Sequence, residues 1–159
     1  MFNRNKEQLL FYPTDGRLIP LSEVPDEAFA SGMLGVGFAV EPTEGTIYAP
    51  MDGVVESVAD ARHAYTLVHR NGTALLLHVG IDSVTLKGEG FLAMVNEGDR
   101  VRAGDVLARV DLEILRAHQI PTHVIVLLTE PETVRDLQIN TGKGLGGRSE
   151  AARYRLART

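Results

Sequence analysis

Cysteine is absent from this chain of 159 residues. That excludes disulfides, thiolate metal sites and cysteine nucleophiles together, and it fits a reducing cytosol without requiring one. A surplus of positive charge is also missing. The net charge is −5, whereas non-specific nucleic-acid binding needs a basic face. No long hydrophobic run is present near the start: Leu9 to Tyr12 is too short for a signal-peptide core and far too short to span a bilayer. The expectation is therefore a cytoplasmic protein with no nucleic-acid partner and no stable membrane insertion, whose residues 1–12 form a flexible tail.

Several chemical signatures are missing as well. Zinc sites usually take three or four protein ligands, yet the chain has no His-Glu-x-x-His and no His-x-His pair. His118 and His123 straddle Pro121 and read as surface or packing residues, and His69 reads as exposed beside a turn. Gly32-Met-Leu-Gly35-Val-Gly37 lacks both the dinucleotide-binding order and the Lys-Ser/Thr of a phosphate loop, so its glycines read as turn residues. Gly142 to Gly147 fails the same test. Ala49-Pro-Met-Asp-Gly53 resembles biotin and lipoyl carriers but offers no lysine in a tight hairpin. No metal and no cofactor are expected.

What the chain does have is short apolar runs punctuated by Gly, Pro, Asp and Asn. Gly45–Pro50, Gly53–Val58, Tyr65–Val68, Ala74–Leu77 and Val106–Val110 are examples, and many short strands with frequent turns point to an all-β sandwich or barrel. Helical character is confined to Glu23–Ala30 and to Asp111–Gln119, with Asp111 as N-cap and Pro121 as terminator. Pro13-Thr-Asp-Gly16 is echoed by Pro50-Met-Asp-Gly53, each a turn leading into a strand, and the Gly-Asp steps of 97–106 add to the echo. Barrel-sandwich folds built from interlocking halves contain such units. Residues 13–159 read as one domain, which at this size can bury roughly 70% of its unfolded surface. Residues 143–159 are the hardest to read, with Tyr154–Leu156 as a further edge strand.

The informative segment runs from His63 to His78. Asn71-Gly72 is a strong signal for a two-residue type I′ hairpin. That turn pairs Arg70 with Thr73, Tyr65 with His78 and His63 with Gly80, so His63 and His78 share a face as diagonal neighbours. A three-residue loop would put them on opposite faces. Two imidazoles on one face can bind a metal, act as acid and base, or serve as a nucleophile with its stabiliser. Imidazole is nucleophilic near neutral pH, and a phosphoryl carrier needs few further parts: an acceptor that holds the proton on the other ring nitrogen, and a donor for the phosphoryl oxygens. A backbone carbonyl such as that of Gly80 suits the first, and His63 suits the second.

Leu77-His-Val-Gly-Ile-Asp-Ser-Val-Thr-Leu-Lys-Gly-Glu-Gly-Phe91 closely resembles the signature of the glucose-class enzyme IIA proteins of the bacterial phosphoenolpyruvate-dependent sugar phosphotransferase system. Val24-Pro-Asp26 with Phe29, Ala49-Pro-x-Asp-Gly53, His63-Ala64 and Glu97-Gly-Asp-x-Val101 match in order, over roughly residues 13–130. The resemblance implies a compact antiparallel β-sandwich of barrel-sandwich, duplicated hybrid type, with one or two short helical turns. It implies that His78 takes a phosphoryl group from the phosphocarrier HPr through Nε2 and hands it to a cysteine of the enzyme IIB domain of a sugar permease. His63 then corresponds to the supporting histidine, Gly80 to the residue whose carbonyl orients His78, and Asp82 to an acid beside the site. Phe29, Met33, Leu34, Leu76 and Val84 are the expected partner-binding patch. Ala61 stands where the family often has a Thr, and Ala59 and Leu76 stand where it often has Phe. Two other readings are a regulatory module of the same fold that binds targets without relaying phosphate, and a metal-dependent hydrolase with His63, His78 and Asp82 as ligands.

Overall fold

Val124–Leu128 is a run of five apolar residues, all of them buried. A strand sends alternate side chains to opposite faces, so such a run has to be covered on both sides. It is the central strand of the largest sheet, and its two faces feed two separate apolar clusters. Val124, Val126 and Leu128 enter the main core, while Ile125 and Leu127 enter a smaller one on the other side.

The structure is a computed structural model, and it describes residues 6–157. Among these the strands are β1 (Gln8–Phe11), β2 (Gly16–Pro20), β3 (Val36–Pro42), β4 (Thr46–Tyr48), β5 (Gly53–Val58), β6 (Ala64–Val68), β7 (Ala74–Val79), β8 (Phe91–Ala93), β9 (Arg100–Val101), β10 (Val106–Val110), β11 (Val124–Leu128), β12 (Val134–Ile139), β13 (Gly142–Gly144) and β14 (Glu150–Leu156). The helices are α1 (Glu27–Ala30) and α2 (Leu112–Ala117). Asp111 caps α2 as expected, its carboxylate accepting from the Glu113 amide at 3.0 Å. All strand pairings are antiparallel. The eight-stranded sheet has the order β13-β2-β3-β11-β7-β6-β5-β9, and two three-stranded sheets have the orders β1-β14-β12 and β4-β10-β8. Leu10, Ile47, Leu107 and Ala152 of the small sheets pack with Phe38, Leu75, Leu77 and Val126 of the large one. Each buried Leu, Ile, Val or Phe among them contributes roughly 1.5–3 kcal/mol by leaving water. The result is the expected β-sandwich.

The echo between the two Pro-x-Asp-Gly turns is structural. Asp15 accepts from the Gly146 amide at 2.7 Å, and Asp52 accepts from the Ala103 amide at 2.8 Å. Gly16 pairs with Gly144 at one end of the large sheet, and Gly53 pairs with Val101 at the other. The turns are also cross-tied, because the Phe11 amide donates to the Pro50 carbonyl and the Tyr48 amide to the Pro13 carbonyl. The C-terminal Gly142–Ser149 segment is therefore the counterpart of 99–105, a match that spacing alone does not reveal.

Two expectations are corrected here. Residues 8–12 are not a tail: β1 pairs with β14, and Leu10 and Tyr12 are buried in the main core. The apolar side chains at alternate positions 10 and 12 are a strand signal, but the partner that holds this strand lies at the far end of the chain. The first five residues lie outside the described ones. Tyr154–Leu156 belongs to a longer strand, β14, which sits in the middle of its sheet and not at an edge.

Candidate active site

His78 lies on β7 between Leu77 and Val79, both turned into the main core, so its own side chain projects from the outer face of the large sheet. Its Cα partner on β11 is Ile125, a member of the smaller apolar cluster. That cluster is roofed by the turn Leu21–Glu23 and by α1. Asp26 caps α1, accepting from the Ala28 and Phe29 amides at 2.9 and 3.4 Å. The cap fixes where Phe29 lands, which is against His78, with ring centroids 5.3 Å apart.

The hairpin differs from its expected form. The His69 amide donates to Thr73 and the Gly72 amide to His69, so the loop is the three residues Arg70–Gly72 and the register moves by one. Ala64, not Tyr65, pairs with His78. Among the loop residues only Gly72 has positive φ, at +93°, the arrangement of a turn closed by a glycine bulge. Two side chains select it: Asn71 Oδ1 accepts from the Thr73 amide at 2.8 Å, and His69 Nδ1 accepts from the Asn71 amide at 3.0 Å. His69 is half-buried in consequence, not exposed.

Strict alternation would now separate His63 from His78. The rings still meet, edge to face, with centroids 5.0 Å apart and planes at 86°. His63 precedes β6, and Arg62 before it takes φ +59°, so His63 is not bound by the alternation of the strand. The room for it comes from Ala64, whose methyl is all that stands opposite His78. The juxtaposition was expected, but the register that produces it is a different one.

Burial dominates the electrostatics. It lowers the pKa of His78 from 6.5 to about 4, helped by the neighbouring His63 and opposed by the Gly80 backbone, Asp26 and Asp82. His63 is also lowered by burial. Both rings are thus held neutral at pH 7. Nδ1 of each is enclosed and forms no hydrogen bond of standard geometry, so the Gly80 backbone acts on His78 as a loose contact. The enclosure of Nδ1 leaves Nε2 as the nitrogen of His78 that can meet a partner.

Gly80 has φ +78°, and a Cβ there would come within 3.0 Å of the Ser83 Cβ and 3.2 Å of Leu115 Cδ2. Asp82 follows at φ +61° and is exposed. Of the expected patch, Met33 is 75% exposed, Val84 52% and Leu34 45%. Phe29 is buried, and Leu76 is half-buried against the smaller cluster. Asp26 was not among the expected site residues; its place immediately before α1 is an N-cap signal that could have found it. Among the described residues, no group of three His, Asp or Glu gathers in a way that could hold a metal, so the arrangement required for the hydrolase reading is missing there. His118 is exposed, with Nδ1 2.9 Å from the Ile114 carbonyl. His123 is largely enclosed, with Nε2 4.0 Å from Glu41. Grooves of about 720 Å³ beside Arg17 and Lys143 and about 710 Å³ beside Arg70 and Arg100 include neither His63 nor His78.

Residues 8–134 match the sequence model of the phosphoenolpyruvate-dependent sugar phosphotransferase system, EIIA 1. The chain belongs to this family. This EIIA chain is 36% identical over 140 residues to a glucose-specific EIIA component of Bacillus cereus, covering 88% of this chain and 85% of that protein. It is 43% identical over 129 residues to a glucose-specific EIICBA component of Staphylococcus saprophyticus, covering 81% of this chain and 19% of that longer protein. Glucose permease IIA from Mycoplasma capricolum superimposes with a TM-score of 0.86 at 31% identity, covering 96% of this chain and 99% of that one. This EIIA is thus a phosphotransferase-system component, a phosphoryl relay in sugar uptake that works through histidine. No helix among its described residues is long and apolar enough to cross a membrane.

Proposed function

We propose that His78 is the relay residue. Nε2 attacks the phosphoryl group carried by HPr, so that a nitrogen–phosphorus bond forms at His78 as the bond to the donor breaks. A cysteine thiolate of an enzyme IIB domain then takes the group, and His78 returns to its neutral form. The observation that carries this reading is a neutral histidine with Nδ1 enclosed and a second imidazole 5.0 Å away. A neutral ring keeps its lone pair available, and a neighbouring N–H favours charge developing on the transferred group. His63 supplies that N–H. Gly80 orients His78 through its backbone, and Asp82 shapes docking at the rim.

Protein partners fit a site with exposed apolar residues. Met33, Leu34 and Val84 give an exposed apolar rim over the floor of Phe29 and Leu76. A brief relay encounter is expected at the small end of interface sizes, below about 1,200 Å². Relatives named for EIICBA components carry their A part within a longer chain, which supports an enzyme IIB domain as acceptor and the cytoplasmic side of a permease as the place of work. Relatives named for glucose and glucosamine make hexoses of that series the first sugars to try.

The test is incubation with phosphoenolpyruvate, enzyme I and HPr, read by intact mass, for wild type, His78→Ala and His63→Ala. One acid-labile phosphoryl group on wild type and His63→Ala, and none on His78→Ala, is the expected result. No gain on wild type, with a control acceptor labelled in parallel, would turn the assignment toward a regulatory module.

A further inference from the structure

Ser83 is completely buried, and its hydroxyl donates to the Val79 carbonyl at 2.5 Å. It lies five residues after His78, and its hydroxyl bonds to the backbone rather than to either imidazole. Its partner, however, belongs to one of the two peptide groups that set the position of Gly80.

A trans peptide holds its N–H and C=O on opposite sides of one plane. In the group joining Val79 to Gly80, the N–H donates to the His123 carbonyl at 2.7 Å. The Val79 carbonyl therefore points the other way, and there the Ser83 hydroxyl receives it. In the group joining Gly80 to Ile81, the N–H donates to the Pro121 carbonyl at 3.0 Å, so the Gly80 carbonyl is turned away from Pro121. The first peptide is clamped at both ends and the second at one. Between them Gly80 takes φ +78°, and Asp82 takes φ +61° on the way to Ser83.

We infer that Ser83 is a positioning residue for the relay, holding the Val79–Gly80 peptide so that the Gly80 backbone keeps the proton of His78 on Nδ1 and leaves Nε2 bare. This rests on the reading of His78 as the phosphoryl acceptor. Without the hydroxyl the Val79 carbonyl loses its buried partner, and that peptide is clamped only through the His123 carbonyl. Rotation about the Gly80 φ then moves the Gly80 carbonyl relative to the imidazole. Which ring nitrogen carries the proton is set by the hydrogen bond the other side makes, so the tautomer should respond before the fold does.

Nitrogen-15 NMR of the imidazoles at pH 7 reads the tautomer directly, beside the initial rate of phosphorylation by HPr. Wild type should show a His78 ring predominantly protonated on Nδ1. Ser83→Ala should show a mixture of tautomers and an initial rate lower on the order of tenfold, the equivalent of one hydrogen bond. Ser83→Thr, which keeps the hydroxyl, should restore both. Wild-type shifts together with a wild-type rate in Ser83→Ala would overturn the inference. So would a wild-type ring protonated on Nε2, a result that does not depend on any variant folding. A tautomer change in Ser83→Ala in a protein that never accepts phosphate would leave the positioning intact and refute the relay assignment instead.

Discussion

The rings of His63 and His78 meet edge to face at 5.0 Å, although Ala64 and not His63 is paired with His78 in the sheet. Their contact couples their charges. A proton on one ring disfavours a proton on the other, and His63 is the second cause of the lowered pKa of His78 after burial. Replacing His63 by Gln should raise the pKa of His78, while burial keeps it below 6.5. An NMR titration of the His78 carbon protons measures this, and an unchanged midpoint would mean that the rings do not communicate.

Stability should depend on pH through the same residue. The folded pKa of about 4 lies below the unfolded value of 6.5, so between these values the unfolded chain binds more protons. Stability is complete above 6.5 and is lost as pH falls toward 4. From pH 7 to pH 5 the contribution of His78 amounts to about 2 kcal/mol. Urea unfolding at both values, in wild type and in His78→Gln, should show wild type losing more by roughly that amount. Equal losses would place His78 in a more solvated setting.

Gly80 should tolerate no side chain. Alanine at φ +78° with a Cβ 3.0 Å from that of Ser83 combines backbone strain with a steric clash, and about 2 kcal/mol of destabilisation is expected. Phosphoryl acceptance should fall with it. Thermal unfolding and the HPr assay check the two effects separately.

The apolar patch should divide by burial. Phe29→Ala removes a ring packed against His78 and the smaller cluster, and it should cost about 3 kcal/mol. Met33→Ser removes a side chain that is 75% exposed, so it should leave stability within about 0.5 kcal/mol while raising the KM for HPr. A Met33 variant with full activity would remove that residue from the docking surface.

Ala61→Thr tests the departure from the family pattern. His63 Nδ1 is buried and forms no hydrogen bond, and satisfying such a group is worth about 1 kcal/mol. The variant should melt higher than wild type and pass phosphate onward faster. A lower melting temperature would show that the pocket has closed around the smaller residue.

Much of the site was legible because its signals are local. Gly53–Val58 and Val106–Val110 are strands over the very residues that their apolar alternation and turns delimit, and Asp111 caps the helix it precedes. The hairpin register was not legible, because the loop is chosen by His69 and Asn71 side chains bonding to backbone amides, a competition that the Asn-Gly pair alone does not decide. The placements of β1 and of Gly142–Ser149 were hidden for another reason. Each is defined by a partner more than a hundred residues away or by a cross-tie between the two halves, and short-range patterns carry no information about such distances.

The pairing of Gln8 with Tyr154 also governs how this chain comes into being. A ribosome releases the first strand long before the strand that must lie beside it. Until then Leu10 and Tyr12 have no permanent neighbour on that side, and the cross-ties between the Pro-x-Asp-Gly turns hold together halves that are still incomplete. Closing so long a loop is slow. Docking of β1 therefore has to wait until β14 has been made, and until then the nascent domain is exposed to proteases and to its own copies.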